Sequence, residues 1–260
     1  MIPLPDAFLR KPLAHRALHD TAAGRPENSR AAVRAAIDAG YGIEIDLQLS
    51  ADGVAMVFHD YKLERLTGET GLVRERTAAD LAKIRLAGGG PRETIPTLAD
   101  ILALVGTHTP LLIELKDQSG TLGTDTGVLE AATATACAAA PDGAMIAVMS
   151  FNPESVRAMR DLAPDLPRGL TTQNFAATGW GPVSKDRLAH LTEMRDYGPV
   201  GAGFISHDVD DLTSPVVSRL KSEGAKILCW TVKSLEAEAR ARRVAHNITF
   251  EGYLAPFPAA

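Results

Sequence analysis

The stretch of sequence that decides the fold is Gly42-Ile-Glu-Ile-Asp-Leu-Gln-Leu-Ser-Ala-Asp-Gly-Val-Ala-Met-Val-Phe-His-Asp60. Its first half alternates apolar residues with Glu44 and Asp46, and residues two apart in an extended strand project from the same face. The pair Asp52-Gly53 is typical of a two-residue hairpin turn, which requires an antiparallel return strand. The predicted pairing runs from 51 with 54 to 46 with 59. It places His59 opposite Asp46, so that two carboxylates and an imidazole share one face.

Two further strand ends carry polar residues of the same kind. The apolar segment 12–14 ends in His15 and Arg16, and the apolar segment 110–115 carries Glu114 and leads into Lys116. In barrel enzymes the carboxyl ends of the strands form the mouth at which chemistry takes place. We therefore expect these four side chains to lie at one mouth, together with the residues of the central stretch.

The rest of the chain alternates strand and helix patterns. Extended segments occur near residues 13, 43, 111, 145, 168, 201, 227 and 249, once the hairpin arm is set aside. Eight parallel strands with helices between them predict an α/β fold, a (β/α)8 TIM-type barrel that occupies residues 1–260 as one domain. The polar, turn-rich region 61–95 is expected to form a small insertion over the barrel mouth. An open doubly wound sheet is the alternative, disfavoured because no glycine-rich phosphate fingerprint follows the first strand.

Composition narrows the class of protein. The chain has 260 residues, 45% of them hydrophobic, and a net charge of -5. Without a cluster of Lys and Arg we expect no nucleic-acid partner. No segment is long and apolar enough to predict a membrane span, and the start lacks a signal-peptide pattern, so we expect a cytoplasmic protein. Cys137 and Cys229 are far apart and lack metal-ligand spacing, which favours plain core positions. Oligomeric state is left open.

The predicted cluster indicates a metal-centred reaction on an anion. Glu44, Asp46 and Glu114 would repel one another if unpaired, and their hard oxygen ligands favour one divalent cation, Mg²⁺ or Ca²⁺, over zinc. Arg16 and Lys116 beside such a site suit a phosphate group.

Histidines supply the remaining chemistry. His15 and His59 have side chains whose ordinary pKa near 6.5 suits a general base and a general acid, each typically contributing about 10²- to 10⁴-fold to the rate. Together with the cation site, this set favours phosphoester cleavage.

The chain also resembles a known family, the glycerophosphodiester phosphodiesterases. Nine landmarks carry the resemblance, in the family's order and over nearly the whole chain: His15-Arg16, Pro26-Glu-Asn28, Glu44-Ile-Asp46, Asp52-Gly53, His59-Asp60, Pro96-Thr97-Leu98, Glu114-Leu-Lys116, Ser150-Phe151 and Trp230-Thr-Val232. Three positions depart from the usual pattern: Ala17 stands where the family has Gly, Lys233 where Asn is common, and Glu251 near a usual Thr-Asp ending.

The resemblance implies a barrel with an insertion after the His-Asp motif and hydrolysis of glycerophosphodiesters to glycerol 3-phosphate and an alcohol. It implies metal ligation by Glu44, Asp46 and Glu114, acid and base roles for His15 and His59, and phosphate binding by Arg16 and Lys116. Trp230 is similar to the family's aromatic wall against the glycerol carbons. The roles of Glu27 and Glu251, the head group and the nucleophile are left open.

Two other functions are kept as alternatives. One is a related barrel phosphodiesterase that cleaves phospholipids or releases a cyclic phosphate; the other is a barrel that binds phosphorylated ligands without turnover. The second predicts a defective acid/base pair, whereas both histidines are present.

Overall fold

The computed structural model describes residues 2–175 and 180–258 and contains one nine-stranded sheet. Its strands are β1 (Leu13–Ala14), β2 (Gly42–Leu49), β3 (Ala55–Val57), β4 (Leu111–Leu115), β5 (Ile146–Ser150), β6 (Arg168–Thr172), β7 (Phe204–Asp208), β8 (Lys226–Val232) and β9 (Asn247–Phe250). β1 pairs in parallel with both β2 and β9, so the sheet closes on itself. β3 runs antiparallel to β2 at the margin of the sheet, which leaves eight parallel strands around the barrel. The predicted (β/α)8 barrel is confirmed, and the open sheet is excluded.

Helices connect most of the strands on the outside of the barrel. They are α1 (Ala7–Arg10), α2 (Arg30–Asp38), α3 (Ala78–Leu81), α4 (Leu98–Val105), α5 (Val128–Ala138), α6 (Pro153–Leu162), α7 (Lys185–Thr192), α8 (Pro215–Ser222) and α9 (Leu235–Ala241). Among the described helices, none combines the length and the hydropathy that crossing a bilayer requires.

The alternation within β2 separates the core from the site. Ile43, Ile45 and Leu47 belong to the hydrophobic layer between strands and helices. Glu44 and Asp46 point the other way and line a cavity inside the barrel. Because side chains of a strand alternate between its two faces, packing of the apolar residues against the helices forces both carboxylates inward.

The hairpin after β2 differs from the prediction by one residue. Leu47 pairs with Val57 and the backbone N–H of Phe58 donates to the Asp46 carbonyl, so Phe58 rather than His59 lies opposite Asp46. A two-residue type I′ turn needs positive φ at both central residues, and here only Gly53 of the pair has it, at 81°. The chain therefore forms a three-residue loop, 51–53, closed by the Ser50 N–H to Val54 carbonyl bond of 3.0 Å. His59 reaches the site only because the chain leaves β3 before it.

Region 61–95 shares a small hydrophobic cluster with the last residues of the hairpin. Its buried members are Met56, Phe58, Leu63, Val73, Leu81, Leu86 and Ile95. Regular structure within region 61–95 is limited to α3, a 3₁₀ turn at Val73–Glu75 and isolated bridges such as Lys62 with Leu72. That region 61–95 forms an insertion over the barrel mouth stays a prediction from its sequence pattern.

Candidate active site

Three buried carboxylates form the centre of the site. Glu44 and Asp46 on β2 and Glu114 on β4 each offer an oxygen within 4.8 Å of the others. The parallel register sets Asp46 beside Glu114, so neighbouring strands bring them together. Each of the three residues is at most 6% exposed. Such a convergence of oxygen ligands is what a hard divalent cation requires.

The charges of this trio are incompletely balanced by the protein. Burial, followed by the nearby charges of Asp46 and Glu114, raises the pKa of Glu44 well above its ordinary value. Lys116 places its ammonium 2.8 Å from Asp46 and 2.5 Å from Glu114, and these carboxylates raise the pKa of Lys116 despite its burial. Glu44 has no such ion pair among the described residues, only a backbone hydrogen bond from Arg16. The donor set and its surplus negative charge fit a divalent cation.

Asp46 is held by a residue that sequence reasoning did not place in the site. Asn28 donates its side-chain N–H to Asp46 Oδ2 at 2.9 Å, and its side-chain oxygen accepts the Asp46 backbone N–H at 3.3 Å. Asn28 has a φ of 58°, a left-handed conformation that Asn tolerates better than most residues. Burial favours the neutral carboxyl, but the charges of Lys116, His59 and Arg16 hold the pKa of Asp46 far below its ordinary value. Asp46 is therefore ionised and fixed.

Arg16 is oriented by its neighbours and keeps one donor free. Its guanidinium donates to Glu27 at 2.8 Å, which assigns to Glu27 the orienting role that the sequence left open. Its Nε lies 3.7 Å from Asp46 and, within the described residues, has no hydrogen-bond acceptor although it is buried. Both Arg16 and Ala17 have positive φ, at 52° and 63°. Ala17 thus occupies a left-handed position, a conformation that Gly adopts more readily than Ala.

His15 forms a dyad with Glu251. Its Nδ1 lies 2.7 Å from Glu251 Oε2, across 236 residues of chain, because β1 and β9 are adjacent. The bond to His15 lowers the pKa of Glu251 to about 2, so this carboxylate is ionised and Nδ1 carries the hydrogen. Burial lowers the pKa of His15 despite the opposing effect of Glu251. A neutral imidazole results, and its Nε2 has no hydrogen-bond partner among the described residues.

His59 forms a second dyad, held by a chain of ion pairs. Its Nδ1 lies 2.6 Å from Asp60, which also accepts hydrogen bonds from Arg65 at 2.6 and 2.8 Å. Arg65 in turn donates twice to Glu27, each time at 2.8 Å. Glu27 thus links Arg16 to His59 through Arg65 and Asp60.

The eight residues predicted for the site line one cavity of about 260 Å³: His15, Arg16, Glu44, Asp46, His59, Glu114, Lys116 and Trp230. Trp230 donates its indole N–H to the Ser206 carbonyl at 3.0 Å. Its ring packs edge to face against Phe151, with 5.5 Å between the ring centroids. Phe151, Lys233, Thr249 and Glu251 also line the cavity. Their co-location is observed; their roles in binding and catalysis remain predictions.

Comparison with known proteins places the chain in a family. The model of the Glycerophosphoryl diester phosphodiesterase family matches residues 15–247. A glycerophosphodiester phosphodiesterase of Caldanaerobacter subterraneus subsp. tengcongensis is 28% identical over 219 residues, covering 81% of this chain and 82% of its own. A glycerophosphodiester phosphodiesterase of Bacillus subtilis is 30% identical over 207 residues, which cover 74% of this chain and 67% of its own.

A solved structure shares both the fold and part of the sequence. A phosphodiesterase of Oleispira antarctica, in complex with the product sn-glycerol-3-phosphate, superposes with a TM-score of 0.74 at 25% identity, over 94% of this chain and 93% of its own. The family match spans far more than half of the chain and includes every residue of the acidic trio. The chain therefore belongs to the glycerophosphoryl diester phosphodiesterase family of enzymes.

Proposed function

We propose that this enzyme hydrolyses glycerophosphodiesters to glycerol 3-phosphate and an alcohol, using one divalent cation, Mg²⁺ or Ca²⁺. The observation that carries the proposal is one cavity in which three kinds of group converge: an acidic trio, two carboxylate-held imidazoles and a buried guanidinium Nε that has no acceptor in the part of the chain that the structure describes. The homologues described above are named for the same reaction, and one was solved with glycerol 3-phosphate as its product.

Glu44, Asp46 and Glu114 would hold the cation, which supplies positive charge against the phosphodiester oxygens. Arg16 Nε and the Lys116 ammonium bind the phosphate oxygens that remain, since both cations line the cavity beside the trio. Trp230 covers the apolar face of the glycerol carbons.

The two histidines divide the proton transfers. His15 is the base: its neutral ring presents a free Nε2, because Nδ1–H is committed to Glu251. His59, which lines the cavity, is the acid: Asp60 engages its Nδ1, and Nε2 is left to protonate the departing alcohol. Each transfer contributes typically about 10²- to 10⁴-fold.

The test is turnover of glycerophosphocholine and glycerophosphoethanolamine, followed by phosphorus NMR in Mg²⁺, in Ca²⁺ and in excess chelator. We expect glycerol 3-phosphate to form only with cation. His15→Ala and His59→Ala should each lose at least about 10²-fold in kcat while cation binding persists. His108→Ala, an exposed histidine outside the cavity, is the control.

Three results would contradict the proposal. A cyclic phosphate that accumulates as the final product would favour the related phospholipase-type reaction. Binding of these esters without turnover would favour a non-catalytic barrel. Near-normal turnover in either histidine variant would remove the acid/base assignment.

A further inference from the structure

A second, larger cavity of about 510 Å³ adjoins the acidic cavity. The two share His59, Glu114, Lys116 and Phe151, so a molecule bound at the acidic trio extends directly into the second space. Its further walls include Tyr61, Leu122 and Trp180.

The walls that are specific to this second cavity are mainly apolar. Leu122 is buried and belongs to a small hydrophobic cluster with Phe175, Val183 and Leu191, against which Phe151 and Trp180 pack. The rings of Phe151 and Trp180 lie 5.2 Å apart, and they form a continuous aromatic surface. Tyr61 is 47% exposed and faces the cavity from region 61–95.

The carboxylates around this cavity are already engaged within the protein. Asp117 accepts from Asn152 at 2.8 Å and from Ser119 at 2.9 Å. Asp60 pairs with His59 and Arg65. Lys62 and Lys116 add positive charge to the lining. A cationic head group would therefore meet two ammonium groups and carboxylates that already have partners.

The acidic cavity, in contrast, is lined mainly by polar and charged side chains. Besides the trio it contains Lys233, Glu251 and the hydroxyl of Thr249, which is buried and, in the part of the chain that the structure describes, has no hydrogen-bond partner. Its volume of about 260 Å³ and its polar groups suit a glycerol moiety.

We propose that the second cavity binds the alcohol half of the substrate, and that the preferred alcohol carries an uncharged alkyl or aryl group rather than a cationic head group. This rests on the proposed function and names its substrate class. In the reaction an oxygen–phosphorus bond forms from water, whose proton passes to His15. The bond from phosphorus to the alcohol oxygen breaks, and that oxygen keeps the electron pair and takes a proton from His59, which lines both cavities.

The first experiment compares kcat/KM for the ethyl, butyl and hexyl esters of glycerol 3-phosphate with that for glycerophosphocholine. Leaving-group basicity is nearly constant along the alkyl series, so differences report binding. A fully buried methylene corresponds to roughly four-fold, the equivalent of about 0.8 kcal/mol. We expect a rise of two- to four-fold per methylene and a poorer value for the choline ester than for the hexyl ester.

Variants of the cavity walls then test whether the second cavity causes the dependence of kcat/KM on chain length. Tyr61→Ser and Trp180→Ala should flatten the dependence on chain length, with the largest loss of kcat/KM for the hexyl ester and the smallest for the ethyl ester. Phe257→Ser is the matched control for Tyr61→Ser: Phe257 is a 49% exposed aromatic stacked on Tyr41, outside both cavities, and the chain-length dependence should persist. Because Tyr61 is half exposed, its substitution tests the proposal even if Trp180→Ala fails to fold.

A binding measurement separates this proposal from the proposed function. Ethyl phosphate and hexyl phosphate are titrated calorimetrically in saturating Mg²⁺ or Ca²⁺, with no turnover required. Tighter binding of hexyl phosphate that Tyr61→Ser abolishes supports the pocket, even if no glycerophosphodiester is cleaved. Equal affinities of the two phosphates, or a kcat/KM that is flat from ethyl to hexyl or highest for the choline ester, would overturn it.

Discussion

Replacing Glu251 by Gln tests whether the His15 dyad governs proton transfer. The bond from His15 to Glu251 measures 2.7 Å, with side chains 14% and 28% exposed. A hydrogen bond to a charged group contributes roughly 1.5–3 kcal/mol and a neutral one about 1 kcal/mol, so the amide forfeits about 1–2 kcal/mol. Because both side chains are partly exposed, the loss should lie toward the lower end of this energy range. We therefore expect kcat to fall about 5- to 30-fold.

The pH profile supplies a readout that a purely structural role would not move. Activity requires neutral His15, whose pKa burial holds below its ordinary value while Glu251 opposes the shift. The acid limb of kcat/KM should therefore lie below about pH 6.5. Removing the carboxylate in Glu251→Gln should displace that limb to still lower pH.

The assay is phosphorus NMR or coupled detection of glycerol 3-phosphate across the pH range in saturating cation. Glu223→Gln, on the surface and paired only with Arg219 among the described residues, is the matched control and should behave as the unchanged enzyme. The reasoning is refuted if Glu251→Gln retains kcat within about two-fold, or if its acid limb stays in place or moves to higher pH.

Two further substitutions test the acidic centre. Glu44→Gln removes a carboxylate whose pKa is raised by burial and by like charges. In excess EDTA at pH 8 the variant should therefore melt at or above the Tm of the unchanged protein. Added Mg²⁺ should raise the Tm of the variant less than that of the unchanged protein, because one cation ligand is lost. Scanning fluorimetry measures both, and a lower Tm in EDTA would contradict the charge argument. Asn28→Ala removes two hydrogen bonds to Asp46 and places Ala at a φ of 58°, so the free energy of unfolding in urea should fall by about 2–4 kcal/mol. Asn28→Gly, which keeps the backbone unstrained, should lose less; equal losses would assign no cost to the backbone.

The register of the hairpin shows where local sequence reasoning ended. Asp52-Gly53 correctly indicated a tight antiparallel return, but the loop takes three residues, and in it Asp52 accepts hydrogen bonds from the Ser50 hydroxyl at 2.7 Å and from the Ala78 backbone N–H at 2.8 Å. The second of these partners lies 26 residues away. A turn pattern carries no information about such a partner, so the pairing differed by one residue.

The sequence by itself determined which faces meet. Glu44 and Asp46 alternate with Ile43, Ile45 and Leu47, and this period of two specifies that the carboxylates oppose the apolar residues whatever the fold. Eight extended segments with helical segments between them then predicted a barrel. Closure of that barrel brings Glu114 and Lys116 to the cavity that Glu44 and Asp46 line.

Only the tertiary structure decided the partners. Glu251 reaches His15 because β9 closes against β1, and Arg65 joins Glu27 to Asp60 although Glu27 lies 38 residues from Arg65 in the chain. The apolar cavity likewise combines Tyr61, Leu122 and Trp180 from separate loops. Periodicity constrains the side of an element on which a residue lies. It does not constrain which distant side chain meets it there, because that depends on the packing of the whole chain.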